Sequence, residues 1–448
     1  MGLYRSIYGE LNIWKLDSYR KPLVLRGARQ VGKTTIVNEF GKEYDHYLYF
    51  NLERSSDRRL FEETEDIPQL VDRLFIYHKK VYDPSKSNLI FIDEVQESPL
   101  VINQLRYFYE ERPDLHVIAS GSLLEFAFNS NTRVPVGRIE FLTLHPLNFE
   151  EYLLATNKAA YEVLKVSPVP QHMLSTMYNL FHEYLIIGGM PEVVDRYVKT
   201  NQVSQLTKIY RSIIGSYLAD TDKYASSQAS RLVLRTMLRS LPAHVGDRIT
   251  LEKFGGTQYK SRETGEALKT LQEARLIWLN YPTVETSIPA TPSFTKRPKL
   301  LHLDTGIVNY QLGIQGKLIG FQDMNEAYRG KIIEQMIYQE LRSKDMDPFR
   351  WDPFWVRTKG DAEVDLLLRV DDLLIPVEIK SGPKGKLRSL NEYMDRCDHH
   401  LAIRMYRGEW MLQEATTRLG KKFKLLNIPY FMGTQLQLLA RWYVEREG

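Results

Sequence analysis

Residues 27 to 34 read Gly-Ala-Arg-Gln-Val-Gly-Lys-Thr and match G-x-x-x-x-G-K-[ST] in full, a spacing suited to gripping the phosphates of a nucleoside triphosphate. Gly27 and Gly32 let the backbone bend so that the N–H groups of Ala28, Arg29, Gln30 and Val31 face the phosphates. Lys33 reaches the β and γ oxygens, Thr34 offers its hydroxyl to Mg²⁺, and Thr35 completes the cofactor-binding run. Leu89 to Ile92 is apolar and leads into Asp93 and Glu94. Asp93 is expected to hold Mg²⁺ through water, and Glu94 to act as base for the attacking water. The run from Leu115 to Ala119 leads into Ser120, Gly121 and Ser122, and Ser122 is the expected sensor of the γ-phosphate. No N-K-x-D guanine-reading motif occurs, so ATP is expected rather than GTP.

A second group lies in the last third of the chain, where Asp365, Glu378 and Lys380 form D-x12-E-x-K. Two carboxylates with the Ile379 carbonyl suit a hard cation, Mg²⁺ or Mn²⁺, and Lys380, on the same strand face as Glu378, would orient an attacking water. The plainer reading is an amphipathic pair of strands whose acids and lysines pair at the surface. Lys384, Lys386, Arg388, Lys421, Lys422 and Lys424 are available to phosphates.

These residues need elements to hold them. Residues 1–155 alternate apolar strand runs (Pro22 to Leu25, Tyr47 to Leu52, Leu89 to Ile92, Leu115 to Ala119) with helical stretches such as Ile67 to His78 and Val101 to Glu111, the pattern of an α/β parallel sheet covered on both faces. Residues 156–225 read as a helical lid, with Leu174, Tyr178, Phe181 and Leu185 at helical spacing before a turn at Gly188, Gly189 and Pro191. Residues 226–300 give helices, among them Arg262 to Arg275, then a strand and a Pro/Ser/Thr-rich hairpin, a winged-helix pattern. Residues 301–448 open on a helix around Gly330 to Leu341 and continue into strands at Phe354 to Arg357, Val364 to Arg369 and Leu374 to Ile379, a second α/β domain.

The chain has 448 residues, more than one core usually supports. No run of about 18 apolar residues occurs, so no membrane partner is expected and the cytoplasm is the expected location. One cysteine, Cys397, excludes an internal disulfide. The formal charge of +4 permits a nucleic-acid partner without requiring one.

LRGARQVGKT (25–34), LIFIDEVQESP (89–99), ASGSLLEF (119–126), VGRIEFLTLHPLNFEEYL (136–153), YLIIGGMPEVV (184–194), EVDLLL (363–368) and IPVEIKSG (375–382) together resemble the AAA-type ATPases of bacteria and archaea that join an AAA domain to a C-terminal domain first catalogued as of unknown function. The resemblance implies a P-loop AAA+ core, a winged helix and a restriction-endonuclease-like C-terminal domain of the PD-(D/E)XK kind, in which Glu334 takes the position of an extra acidic metal ligand. It also implies a homo-oligomer, with a hexameric ring as one form, and draws attention to Arg138 as an arginine finger acting across a subunit boundary; the alternative is an arginine paired with Glu140 or Glu150. The function expected is ATP hydrolysis coupled to DNA binding or processing, with DNA as partner. The alternative is a nucleotide-dependent switch or scaffold that cuts nothing.

Overall fold

The computed structural model describes residues 2–122, 137–225, 227–315, 325–344, 351–383 and 385–448. Its first unit runs α1 (Ile7–Leu16), β1 (Leu23–Arg26), α2 (Lys33–Gly41), β2 (His46–Asn51), α3 (Ser55–Glu62), α4 (Ile67–Tyr77), β3 (Asn88–Asp93), α5 (Pro99–Glu111), β4 (His116–Ser120) and β5 (Glu140–Thr143). The strand order is β2-β3-β4-β1-β5, and every neighbouring pair is parallel. Side chains alternate across a strand. Val24, Leu48, Ile90, Ile92 and Val117 therefore enter the core under α3, α4 and α5, while Leu23, Leu25, Leu89, Phe91 and Ile118 enter the core under α1 and α2. Burial on both faces explains why β3 is buried along its whole length and reads as a continuous apolar run. The helices obey the matching period: α4 buries Ile67, Leu70, Val71, Leu74 and Phe75, and Asp66 caps it by accepting from the Gln69 N–H at 2.8 Å.

Helices α6 (Phe149–Thr156), α7 (Lys158–Leu164), α8 (Leu174–Ile187), α9 (Pro191–Thr200) and α10 (Thr207–Tyr224) follow, then α11 (Gln228–Ser240), α12 (Ser261–Glu273), β6 (Ile277–Asn280), β7 (Lys299–His302), α13 (Thr305–Gln311) and α14 (Glu326–Lys344). Strands β6 and β7 pair antiparallel. The α8–α9 turn has its expected structural role. Gly188 has φ +75°, and a Cβ there would meet Asp304 Oδ1 at 2.3 Å, while Asp304 accepts from the Gly189 N–H at 2.6 Å.

The last unit is a mixed sheet of order β10-β11-β12-β14-β13, built from β10 (Leu366–Val370), β11 (Leu373–Ile379), β12 (Leu401–Tyr406), β13 (Met411–Thr416) and β14 (Lys422–Pro429), with α15 (Arg388–Met394) and α16 (Leu436–Glu447). Leu366, Leu368, Ile375 and Val377 pack with α14, α16 and, across the chain, Tyr178 and Phe181 of α8 in one core; Leu367 and Leu374 pack with α15. The strand expected over Val364 to Arg369 is broken. β9 (Glu363–Val364) pairs with β8 (Trp355–Val356), whereas β10 pairs with β11, so Asp365 sits at the point where the chain leaves one sheet for the other. Among the described residues no helix is long and apolar enough to cross a membrane.

Candidate functional site

The loop Gly27–Thr34 leaves β1 at the carboxyl end of the parallel sheet and enters α2 at Lys33, the edge at which such sheets take ligands. Gly27 has φ +148°, and a Cβ there would lie 2.4 Å from the Leu144 carbonyl oxygen, so only glycine brings the loop this close to the chain after β5. Gln30 and Gly32 also have positive φ. Ala28 and Val31 are buried and offer the site backbone only. Lys33 is 7% exposed and donates to the Gly27 and Ala28 carbonyls at 2.9 Å each; burial pulls its ammonium down to about 8.

Asp93, at the end of β3, gathers the other parts. Thr34 Oγ1 donates to its Oδ2 at 2.7 Å, the Glu94 N–H to its Oδ1 at 3.1 Å, and Ser120 Oγ also bonds to Oδ1. A threonine hydroxyl held against a carboxylate at the mouth of a phosphate loop is a donor set that fits Mg²⁺ carrying a nucleotide. Glu94 follows in a left-handed conformation at φ 53° and ψ 45°, an uncommon state for this residue, and its Oε2 accepts from Gln96 Nε2 at 2.5 Å. Burial raises its carboxyl above the usual range. Glu94 and Arg29, Gln30, Gly32, Lys33, Thr34 and Thr35 border a cleft of about 540 Å³, closed on the far side by Pro191, Glu192 and Asp195. Pro191, expected in the turn, thus also walls the cleft.

Ser122 is buried, and its Oγ has no partner among the described residues. Ser120, not singled out from sequence, is the serine that touches Asp93. Residues 123–126 and Val136, quoted for the resemblance, lie outside the described residues. Arg29 and Gln30 turn away from the loop toward α10: Arg29 pairs with Asp220 at 2.7 Å, and Gln30 Nε2 donates to Ser216 Oγ at 3.2 Å. Arg5 was missed altogether. It donates to the Val31 carbonyl at 2.9 Å and pairs with Glu151 at 3.1 Å, and no local pattern before α1 signals it.

Arg138 precedes β5 at the amino end of the sheet, opposite the phosphate loop. Its Nε pairs with Glu110 at 3.0 Å, and its side chain is 44% exposed. The partners expected for a structural role are engaged elsewhere: Glu140 accepts from the Lys21 N–H at 3.0 Å, and Glu150 pairs with Lys344 at 2.5 Å. Glu110 lies on α5, whose end reaches the amino edge of the sheet, and only the tertiary structure brings the two together.

The C-terminal acids converge. Asp365 Oδ2 accepts from the Ile379 N–H at 2.7 Å, and Lys380 Nζ lies 2.5 Å from Glu378 Oε1. Among the described residues, the three acids whose ligand atoms lie within 4.8 Å of one another are Glu334, Glu363 and Asp365, so Glu363 was overlooked and Glu378 stands outside that trio, held by Lys380. Lys299 of β7 was also overlooked: it is 1% exposed, pairs with Glu334, and lies 2.7 Å from Glu363. Burial, with the neighbouring acids, raises the carboxyls of Glu334, Asp365 and Glu378. An all-oxygen donor set of this kind fits a hard divalent cation. Of the basic residues, Lys421 donates to the Cys397 carbonyl and Lys424 pairs with Glu447 at 2.7 Å, while Lys384 lies outside the described residues.

A glycine-rich loop between strand and helix, with a buried lysine and a threonine joined to the aspartate of the adjacent sheet, defines a nucleotide-binding P-loop ATPase domain. Residues 19–153 match the model of an AAA domain. Residues 178–318 and 329–431 match two domains of unknown function, DUF8612 and DUF4143. Similar solved structures include the Walker-type ATPase of Pyrococcus abyssi, at 15% identity and TM-score 0.44 over 69% of this chain and 96% of that one. Two others are the Aeropyrum pernix ORC1 protein in complex with DNA, at 11% and 0.26 over 70% and 93%, and a signal transduction ATPase with numerous domains and a tetratricopeptide-repeat sensor from Pyrococcus horikoshii, at 14% and 0.28 over 77% and 46%. No curated protein matches the chain.

Proposed function

We propose that the chain is a Mg²⁺-dependent ATPase whose turnover is coupled to DNA binding or processing. The observation that carries the ATPase reading is the convergence of Thr34 and Ser120 on Asp93, beside Lys33 and Glu94. In this reading Lys33 swings from the loop carbonyls to the phosphates, Thr34 and Asp93 hold Mg²⁺, Glu94 accepts the proton of the attacking water, and Ser122 contacts the γ-phosphate or that water. The raised carboxyl of Glu94 brings its proton affinity closer to working pH, where a general base is most effective. Glu94→Gln should keep ATP affinity and lose turnover by about 10²–10⁴, read by phosphate release beside binding of a fluorescent ATP analogue. Unchanged turnover would remove Glu94 from the base role.

The units proposed are an ATPase core over 1–155, a helical lid over 156–225, a winged helix over 226–300 and a nuclease-like domain over 301–448. The winged-helix reading is supported by α11, α12 and the antiparallel β6–β7 pair. Arg262 and Lys269 on the exposed face of α12 stand in i,i+4 pairs with Glu266 and Glu273, solvent-screened contacts that are easily given up to phosphates. The nuclease reading is supported by the gathering of Glu334, Asp365, Glu378 and Lys380. Glu378→Ala should then abolish Mg²⁺- or Mn²⁺-dependent cleavage of linear, nicked or branched DNA while DNA-free ATP turnover stays intact. The pairing of Lys299, Lys380 and Arg248 with the acids favours the second reading, a switch or scaffold that binds without cutting, and absence of cleavage on every substrate would select it.

A further inference from the structure

Lys299 has an unusual position for a lysine. It belongs to β7, outside the sheet that carries the D-x12-E-x-K residues, yet its ammonium is among the most buried charges of the described chain, at 1% exposure. It is seated between Glu334 Oε1 and Glu363 Oε1, the latter at 2.7 Å, and over the ring of Phe354 at 4.5 Å. Arg248, which bridges to Lys299 through the backbone, takes the other oxygen of Glu363 at 3.2 Å. Two of the three carboxylates whose oxygens lie within 4.8 Å of one another are thus already satisfied by a cation brought from another part of the chain. A second observation marks the pocket as built for more than this ammonium. Glu378, which precedes the Ile379 N–H that binds Asp365, is 4% exposed, and its Oε2 has no partner among the described residues. An orphaned buried carboxylate oxygen costs on the order of 1–3 kcal/mol or more and signals a missing ligand.

We propose that Lys299 is a tethered cation in the divalent-cation site formed by Glu334, Glu363 and Asp365, so that seating of its ammonium and binding of the metal at those oxygens exclude one another. The exclusion is geometric. A small divalent cation requires its oxygens at about 2.0–2.1 Å and a nearly octahedral shell, and an ammonium within hydrogen-bond distance of two of those oxygens fills that volume. Displacement of the β6–β7 hairpin withdraws the ammonium and frees two carboxylates at once, which ties cation binding in the last unit to the position of the segment before it. The proposal rests on the reading of this cluster as a cation site.

Mn²⁺ binding to the full chain without nucleotide tests it by electron paramagnetic resonance. Lys299→Met keeps the length of the side chain and removes the charge, and should tighten Mn²⁺ at least tenfold, a gain that Asp365→Asn in the same background abolishes. A second measurement avoids any loss of folding in that variant. In the wild type, Lys299 should resist reductive methylation without metal and become reactive with Mn²⁺, read by peptide mass spectrometry. Equal Mn²⁺ binding in wild type and Lys299→Met, or continued protection of Lys299 with the metal bound, would overturn the exclusion and leave the cation site standing. Absence of Mn²⁺ binding in both proteins would overturn the cation reading as well.

Discussion

Asp93 is the residue through which the nucleotide site is organised. Its two oxygens take the hydroxyls of Thr34 and Ser120 and the N–H of Glu94, so the carboxylate is aimed before any ligand arrives. Such preorganisation lowers the cost of placing Mg²⁺. A hydrogen bond to a charged group is worth about 1.5–3 kcal/mol. Ser120→Ala should therefore raise the Mg²⁺ concentration for half-maximal ATP turnover about tenfold with little change in melting temperature, measured by phosphate release across a Mg²⁺ series. Lys33→Ala should abolish turnover, since among the described residues no other side chain bordering the loop offers a buried ammonium. Local spacing revealed Thr34, Lys33, Asp93 and Glu94 because each sits in a contiguous motif. Ser120 and Ser122 lay two residues apart at one strand end, and only the register of β4 beside β3 decides which hydroxyl meets Asp93.

At the scale of elements, α10 clamps the loop from outside. Asp220 is 4% exposed and pairs with Arg29, Ser216 accepts from Gln30, and the Tyr217 hydroxyl donates to the Arg29 carbonyl at 3.4 Å. The clamp ties the phosphate loop to the helical segment, so a shift of that segment would be passed to the loop. Asp220→Asn should weaken ATP binding by about tenfold, the order expected from losing an ion pair with one buried partner, read by titration with a fluorescent analogue, and Gln30→Ala should do so by less. Helical spacing predicted α8 from Leu174, Tyr178, Phe181 and Leu185, and the structure buries Tyr178, Phe181 and Leu185 while Leu174 packs half-buried at the edge of the same core. Spacing does not say what covers them. The cover is the last sheet, to which Tyr178 is also bonded through the Tyr406 carbonyl at 2.9 Å.

For the whole molecule, two joints decide how the units act together. Glu340 on α14 accepts from the Phe149 N–H and, at 2.8 Å, from the Tyr184 hydroxyl, and burial raises its carboxyl to about 8. A folded-state value above the unfolded one means that the acid stabilises the fold in its protonated form: the contribution is complete below about 4.5 and is lost as pH rises toward 8. The melting temperature of the wild type should fall by a few degrees between these limits, and Glu340→Gln should lessen that slope, to which the raised carboxyls of Glu334 and Glu378 also contribute, in differential scanning fluorimetry across pH. The second joint is one we propose, between copies of the chain. Arg138 faces away from its own nucleotide cleft and is half-exposed, so a finger role requires a second subunit. Mixing Arg138→Ala with Glu94→Gln should restore part of the ATPase activity, because some interfaces then carry both intact groups. No recovery in verified mixed oligomers would leave Arg138 as the partner of Glu110.

The sequence by itself determined the nucleotide site, because a phosphate loop is a contiguous solution: eight residues between a strand and a helix bend the backbone and supply the charge. It also determined four of the five strands of the parallel sheet, the inner strand β3 being apolar because both its faces are covered, whereas the edge strand β5, carrying Glu140 and only partly buried, left no such run. The tertiary structure alone brought Arg248, Lys299 and Glu363 into the second cluster. Arg248, Lys299, Glu334, Glu363, Asp365, Glu378 and Lys380 are spread over more than a quarter of the chain, and whether the acids receive a metal or an ammonium depends on strand β7 reaching the break between β9 and β10. Local patterning encodes which face of a strand is buried. It carries no record of which distant charge will be buried against it, since that is settled by long-range packing and by the cost of leaving a buried carboxylate unpaired.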